Sequence, residues 1–432
     1  ICWWFVVRVV YVVLDGAGDG FGVGERSLVL ADKPGLDGLA RNSVCGLVYT
    51  VGRGVAPESD VAVLSLLGYD PDRYYTGRGP LEALGAGIEF RSGQLALRAN
   101  YATIDPGSLR IIDRRAGRSV STREARILAE ALDGMKLDGG RATALFRATI
   151  GHRGVLVIRH RDIPLSADIT NTDPAYERVG RISHARSSYE PILQEAKPLR
   201  DSIGARKAAE LVNEFTMKAI ELLDKHAVNE GGRRKGLLPA NAILLRDAGD
   251  RLPEAEPFQE KYGLRMASIV EMVVERGIAL ALGLIDIPLG VDPQTIDRPT
   301  LLRKEAELAL QAIEKYDGVY VHLKGPDEPG HDGDLEGKIK AIEDIDKYFI
   351  QPLLDRIDRE EVLFIVTSDH ATPWHMKSHS DEPVPLMFSH PRFNTGHDSF
   401  NEETCKNGEL GVLEKGSLII PTALNYLGKL QG

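Results

Sequence analysis

Four short, β-branched runs, each bounded by turn residues and separated by long helical patterns, constrain this chain more than any other feature. The runs are Val6–Leu14, Ala242–Leu245, Gly318–Leu323 and Val362–Thr367. Helical spacing of apolar residues covers Ser59–Leu67, Ala205–Lys225, Met266–Leu282, Leu301–Tyr316 and Leu335–Ile357. Strands alternating with helices predict an α/β fold on a mainly parallel sheet flanked by helices. At 432 residues the chain exceeds one typical core, so a smaller second domain is expected. The stretch from Arg91 to Ser188 supplies it, with strands at Leu95–Thr103, Leu109–Asp113 and Gly154–Arg159 around one helix, Thr122–Leu132. The predicted layout is a core of residues 1–90 and 189–432, interrupted by an inserted α+β domain, 91–188.

The charge balance excludes one class of partner. With 53 basic and 63 acidic residues the formal charge is −10, which argues against a nucleic-acid-binding surface, since that would need a basic stripe to replace phosphate counterions. A local arginine cluster for a small anion is compatible with that balance. The three cysteines (Cys2, Cys45, Cys405) are far apart and show no CxxC spacing, which favours a reducing cytoplasm over a disulfide framework. Ile1 to Leu14 is apolar but has no basic leading region or small-residue cleavage site, and Arg8 interrupts it. It is also too short to span a membrane as a helix, so a buried parallel strand is the expected reading. Oligomeric state is left open, a homo-oligomer included.

Seven of the eleven histidines fall between His322 and His397. Lys324-Gly-Pro-Asp327-Glu-Pro-Gly-His331 follows one predicted strand, Asp369-His370 follows another, and His379 lies in a loop nine residues on. Asp15-Gly16 ends the first strand. These acids and histidines thus gather at carboxyl ends of parallel strands, where open α/β sheets hold ligands. Imidazole with carboxylate suits Mn²⁺ or Zn²⁺, and two ions roughly 3.5–4 Å apart can hold both the attacking and the leaving oxygen of a phosphoryl transfer. Each piece alone has a plainer reading: Asp15-Gly16 as a turn, Asp327-x-x-x-His331 as a surface loop. His322 reads as a packed strand residue, His375 as part of a loop, and His390 and His397 as lacking a strand-terminal acid, apart from Asp398 beside the latter.

Ser59, in Pro57-Glu58-Ser59-Asp60 before an apolar run, reads first as a helix cap. The same geometry suits a nucleophile, because a helix start points amide N–H groups at a phosphate.

The chain resembles the archaeal-type, cofactor-independent phosphoglycerate mutases of the alkaline phosphatase superfamily. The resembling segments include Leu14-Asp15-Gly16, Pro57-Glu58-Ser59-Asp60, Leu67-Gly-Tyr-Asp-Pro71, and Tyr74-Tyr-Thr-Gly-Arg-Gly-Pro80 with the residues to Gly87. They continue with Asn100-Tyr-Ala-Thr103, Asp113-Arg114-Arg115-Ala-Gly-Arg118, Thr172-Asp-Pro174, Lys261-Tyr-Gly-Leu264, Val321 to Asp332, Ser368-Asp369-His370 and Ser378 to Pro385. The match runs from about Val10 to the C-terminus. It implies an alkaline phosphatase-like core that interconverts 3- and 2-phosphoglycerate without 2,3-bisphosphoglycerate. One divalent ion would be held by Asp15, Ser59, Asp369 and His370, the other by Asp327, His331 and His379. Mn²⁺ is the first candidate, with Mg²⁺, Zn²⁺ or Co²⁺ as alternatives. Ser59 would carry the phosphoryl group as phosphoserine, and Arg114, Arg118 and Lys324 would hold substrate anions. Two departures stand out: the glycine-rich Ala17-Gly-Asp-Gly-Phe-Gly22, expected to loosen the loop after Asp15, and a second proline, Pro329, which keeps the ligand spacing.

The rivals are another phosphohydrolase or phosphomutase of the same superfamily, and a metal-stabilised binding protein. Ser59-Asp-Val-Ala-Val lacks the Ser-x-Pro-x-Arg context of a sulfatase. A mutase must exclude water while glycerate reorients, so an inserted domain fits it better than an open phosphatase site.

Overall fold

The computed structural model describes residues 8–22, 24–180 and 182–431. Val6, Val7 and Cys2 lie outside them, so the first strand is described as Arg8–Leu14. The chain forms two compact units, residues 1–75 with 255–432, and Thr76–Glu254.

The first unit is built on a sheet of eight strands, in the order Ile285–Asp286, Met266–Val270, Gly318–Leu323, Arg8–Leu14, Val362–Ser368, Val384–Ser389, Ser43–Val48 and Gly411–Leu413. Only Val384–Ser389 runs against its neighbours; the other pairs are parallel. Arg8–Leu14 is central, with Val9 to Leu14 all buried, because parallel strands covered by helices on both faces hold apolar residues at every position. Helices such as Arg298–Ile313 and Leu335–Ile345 cover it with Leu302, Ala306, Ile342 and Ile345. The apolar run predicted as one helix, Met266–Leu282, is instead a strand, Met266–Val270, followed by a helix, Val273–Ala281. Five consecutive buried residues lack the polar face that separates helix from strand. The predicted Leu335–Ile357 helix contains a five-residue π-helical turn at Asp346–Ile350, where Asp346 turns inward to accept the Gly35 and Leu36 N–H groups at 3.0 and 2.7 Å.

The family-like segments Leu67 to Pro71 and Lys261 to Leu264 meet inside this unit. Lys261 Nζ sits 4.0 Å from the Tyr69 ring centre and 4.9 Å from that of Tyr262, and donates to the Gly68 carbonyl at 2.7 Å. Gly68, at φ +90°, leaves no room for a side chain against the Tyr262 hydroxyl.

The second unit is an antiparallel sheet ordered Ala242–Gly249, Leu95–Asp105, Arg153–His160, Ala142–Ala148 and Met135–Leu137, with Arg110–Asp113 also paired to Leu95–Asp105. Helices Thr122–Leu132 and Ile203–Asp224 pack on it through Leu128, Leu132, Leu211 and Phe215. The α+β character read for the insert is present, but its extent is wider than 91–188. Ala242–Gly249, assigned from its sequence to the core, pairs along Leu95–Asp105 and carries Ile203–Asp224 with it. Strand partners are set by long-range register, which an isolated β-branched run does not encode.

Candidate active site

In the first unit, the carboxyl ends of three adjacent parallel strands meet. Asp15 follows Arg8–Leu14, Lys324 and Asp327 follow Gly318–Leu323, and Asp369 and His370 follow Val362–Ser368. The loop after Asp15 is not loosened by its glycines. Gly16 N–H donates to Asp369 Oδ1 at 3.0 Å and Ala17 N–H to Ser368 Oγ at 3.0 Å. Buried Lys338 donates to the Gly18 carbonyl, Asp19 Oδ1 and the Thr372 carbonyl at 3.0, 2.7 and 2.8 Å. Gly16 has φ +63°, and a Cβ there would stand 2.8 Å from Asp327. The residue must be glycine for the two acidic loops to approach.

Ser59 is the first residue of the helix Ser59–Leu66, not its cap; Glu58 holds that position and makes no side-chain cap bond. The Ser59 hydroxyl lies 3.2 Å from His370 Nε2. That nitrogen is also 3.5 Å from Asp15 Oδ1 and 3.2 Å from Asp369 Oδ2. A neighbouring group is formed by Asp327, whose Oδ1 is 3.5 Å from both His331 Nε2 and His379 Nε2. Ligand atoms of Asp15, Asp369 and His370 lie within 4.8 Å of one another, as do those of Asp327, His370 and His379. His331, half exposed, is the outermost of the seven.

Each histidine is aimed by its other ring nitrogen. His379 Nδ1 meets the Pro57 carbonyl at 2.8 Å and His331 Nδ1 the Lys377 carbonyl at 3.1 Å. His370 Nδ1 meets Thr372 Oγ1 at 3.0 Å, and that hydroxyl donates to Asp327 Oδ1 at 2.7 Å. A carbonyl on Nδ1 fixes the tautomer that leaves Nε2 as an electron-pair donor, the orientation a metal ligand needs. Asp15 Oδ1 and Asp369 Oδ2 are buried without a hydrogen-bond partner. Burial opposes its charge, yet His370 and His322 hold the Asp369 carboxyl well below the usual range. Burial likewise opposes His379, which the Asp327 carboxylate pushes up to about 9. Converging acids with unpartnered oxygens and aimed imidazoles fit divalent cations.

His322, read as a packed strand residue, is fully buried but faces the site. It lies 3.3 Å from Glu275 Oε1, 3.4 Å from Asp369 Oδ2 and 3.8 Å from Asp15 Oδ1. Lys324 Nζ bridges Asp15 and Glu275 at 3.1 and 2.5 Å. Glu275 escaped notice because it sits inside the run taken for one long helix.

The second unit gathers positive charge. Arg98 on Leu95–Asp105 stands opposite Arg246, and Asn100, two residues on, stands opposite Arg153. Period-two alternation therefore puts the three arginines on one sheet face. Arg98 Nε is buried without a hydrogen-bond partner, and the nearest carboxylate, Glu82, is 3.7 Å away. Burial, then Arg78 and Arg246, pulls the Arg98 guanidinium down to about 9. Burial, then Arg153, Arg115, Arg118 and Arg98, pulls His152 down to about 4. Exposed Arg118 thus shares a field with the sheet arginines. Arg114 is gripped by buried Asp173 through two bonds of 3.0 and 2.6 Å and lines a cleft of about 340 Å³ with Arg115 and Tyr189. Arg98, Arg153 and Arg246 were not singled out from the sequence, where they are far apart; their register brings them together.

The arrangement defines a class first: an α/β enzyme fold with acids, imidazoles and a helix-borne hydroxyl gathered outside the carboxyl ends of parallel strands. A family profile described as 2,3-bisphosphoglycerate-independent phosphoglycerate mutase matches residues 40–229. A protein of that description from Aeropyrum pernix is 58% identical over 425 residues, spanning 98% of this chain and all of the relative. Another from Pyrobaculum aerophilum is 39% identical over 97% of this chain and 98% of its own. The chain belongs to the 2,3-bisphosphoglycerate-independent phosphoglycerate mutase family. The solved cofactor-independent phosphoglycerate mutase from Thermoplasma acidophilum is 30% identical, with TM-score 0.64 over 99% of this chain and 100% of that one. The PH0037 protein from Pyrococcus horikoshii gives TM-score 0.79 at 27% identity, over 98% of each chain. No helix among the described residues is long and apolar enough to cross a membrane.

Proposed function

We propose that this chain interconverts 3-phosphoglycerate and 2-phosphoglycerate by passing the phosphoryl group through Ser59, with no 2,3-bisphosphoglycerate. The observation that carries the reading is the Ser59 hydroxyl at a helix start, 3.2 Å from His370 Nε2 and beside two groups of ligand-type side chains. Asp15, Ser59, Asp369 and His370 would hold one divalent ion, and Asp327, His331 and His379 the other, Mn²⁺ being the first candidate. His370 lies close to both groups and could serve either ion. When bound, the ions supply charge neutralisation for the phosphoryl oxygens and favour the serine alkoxide.

Ser59 gives up its hydroxyl proton and its Oγ forms a bond to phosphorus as the bond from phosphorus to the 3-oxygen breaks, and the glycerate takes up a proton at that oxygen. The 2-hydroxyl then attacks the phosphoserine, gives up its proton, and Ser59 is regenerated. The helix-start N–H groups at Ser59 favour the doubly charged phosphoserine. Lys324, bridging Asp15 and Glu275, keeps that carboxylate placed and adds positive charge near the transferring group. Arg114 and Arg118 are the proposed holders of substrate anions, and the face of Arg98, Arg153 and Arg246 is suited to the same kind of group, since a planar fork of N–H donors matches carboxylate and phosphate.

The test is an assay of 3- to 2-phosphoglycerate conversion with chelated protein, with and without added Mn²⁺. Metal-dependent conversion without 2,3-bisphosphoglycerate is expected. Release of inorganic phosphate in place of 2-phosphoglycerate would turn the reading into a phosphohydrolase.

A further inference from the structure

One side of the eight-stranded sheet carries another set of ligand-type side chains, on a strand two, three and four places from those that precede Asp369, Asp15 and Asp327. There Ser43–Val48 lies between Val384–Ser389 and the edge strand Gly411–Leu413. Cys45 Sγ, His397 Nε2 and a Glu409 carboxylate oxygen all lie within 4.8 Å of one another. His397 Nε2 is 3.1 Å from Glu409 Oε2, and the same oxygen accepts the Cys45 backbone N–H at 3.3 Å. The three residues come from a strand, a loop and the turn after the helix Glu402–Lys406.

We propose that Cys45, His397 and Glu409 form a binding site for one zinc-class divalent cation, separate from the phosphoryl-transfer centre. Thiolate, imidazole and carboxylate together make a zinc donor set, whereas Mg²⁺ and Ca²⁺ avoid sulfur. Four-coordinate zinc with bonds of roughly 2.0–2.3 Å holds its ligand atoms roughly 3.3–3.8 Å apart. The His397–Glu409 edge, at 3.1 Å, is a little shorter than that, and all three ligand atoms already lie within 4.8 Å of one another, so small side-chain adjustments separate the present arrangement from the bound one. Cys45 is 2% exposed, while the His397 and Glu409 side chains are 18% and 43% exposed. A cation can enter past the carboxylate, and water can complete the fourth position.

The backbone supports the same reading. Gly408 lies so close to Cys45 that a Cβ there would stand 2.1 Å from the Cys45 carbonyl oxygen and 2.6 Å from Sγ. The glycine lets the turn bearing Glu409 close onto the thiol. The Cys45 thiol has weak contacts, 3.8 Å from Sγ to the Thr404 carbonyl and a hydrogen bond with the Cys405 thiol, both of which a cation can outcompete. Binding replaces the Cys45 S–H bond by a sulfur–metal bond and releases that proton to water, with no change of oxidation state. The bound ion would staple the short edge strand and its turn to Ser43–Val48, which an edge of three residues otherwise holds weakly.

Cobalt titration of the chelated full-length protein tests this. The proposed catalytic ligands are all oxygen or nitrogen, so a near-ultraviolet sulfur-to-cobalt charge-transfer band reports this site alone, whether or not the chain is a mutase. The band should saturate at one Co²⁺ per chain and be displaced by Zn²⁺. It should vanish in Cys45→Ser, persist in Cys2→Ser and Cys405→Ser, and need at least about ten-fold more Co²⁺ in His397→Ala. Should Cys45→Ser fail to fold, the exposed-side variants His397→Ala and Glu409→Ala decide, by loss of the Zn²⁺-induced rise in Tm seen in the wild type. No sulfur band in the wild type, or an unchanged cobalt affinity in both exposed-side variants, would overturn the proposal.

Discussion

In the first unit carboxylates converge, with Asp15, Asp327 and Asp369 backed by Glu275 and met by imidazoles and Lys324. In the second, Arg98, Arg153 and Arg246 converge on one sheet face, with Arg78, Arg115 and Arg118 adding to their field. Each cluster gathers like charges that repel, and each leaves a buried atom without a partner: Asp15 Oδ1 and Asp369 Oδ2 in one, Arg98 Nε in the other. Like charges directly opposite on a sheet are destabilising by about 0.2–1 kcal/mol per pair, so such clusters are poor building material. They make sense as receptors, one for cations and one for an anion. An acidic chain can therefore still bind an acidic substrate, because the sign of a local field is set by register and not by net charge.

The comparison predicts that damage to the first unit removes chemistry and damage to the second removes substrate affinity. Ser59→Ala should have the largest effect, lowering turnover by at least about 10³-fold. Because Ser59 is not the helix cap, thermal denaturation should show little of the ~1 kcal/mol loss that a missing cap brings. Intact-mass measurement of the wild type during turnover should find one added phosphate, mapped to Ser59. A variant with more than a few per cent of wild-type activity would break this half of the comparison.

Asp369→Asn comes next: metal affinity should fall on the order of 100-fold, read by titration of the chelated protein, with activity falling alongside it. Arg98→Ala should lower kcat/KM by about 30- to 1,000-fold, equivalent to about 2–4 kcal/mol, while metal content stays at the wild-type value. Loss of metal in Arg98→Ala would show that the two clusters do not divide the work as described.

The smallest effect concerns pH. His152 has a folded value near 4, below the ordinary 6.5. Between those values the unfolded chain binds the extra proton, so stability increases with pH across that window and is lost as pH falls through it. Partial exposure limits the contribution to about 1–2 kcal/mol. Urea midpoints of wild type and His152→Gln at pH 7 and pH 5 should reveal it as a smaller acid loss in the variant. Added phosphate should raise the His152 value, measured by NMR titration, if the arginine face binds anions.

What could be read from the sequence was whatever is local. Asp15, Asp369 and His370 follow an apolar strand directly, and Asp327 and His331 lie four and eight residues beyond one, so strand end and ligand type are visible in one short window. The loop after Asp15 was misjudged because the residues that pin it, Lys338 and Ser368, are hundreds of positions away. Glu275 and His322 were missed or read as packing for a related reason. A buried apolar run hides whether it is helix or strand, and a strand histidine does not announce which face it presents. The arginine face depends on which strands pair and in which register, and so did the true extent of the second unit.

The central position of Arg8–Leu14 has a consequence for how the protein is made. Both of its partners, Gly318–Leu323 and Val362–Ser368, leave the ribosome long after it does, tens of seconds later at roughly 5–20 residues per second. Thr76–Glu254 is contiguous and can fold in that interval, while the six apolar residues Val9 to Leu14 wait as an unpaired strand. The nascent chain thus spends most of its synthesis with an apolar strand unpaired, a natural target for a ribosome-bound or early-acting chaperone.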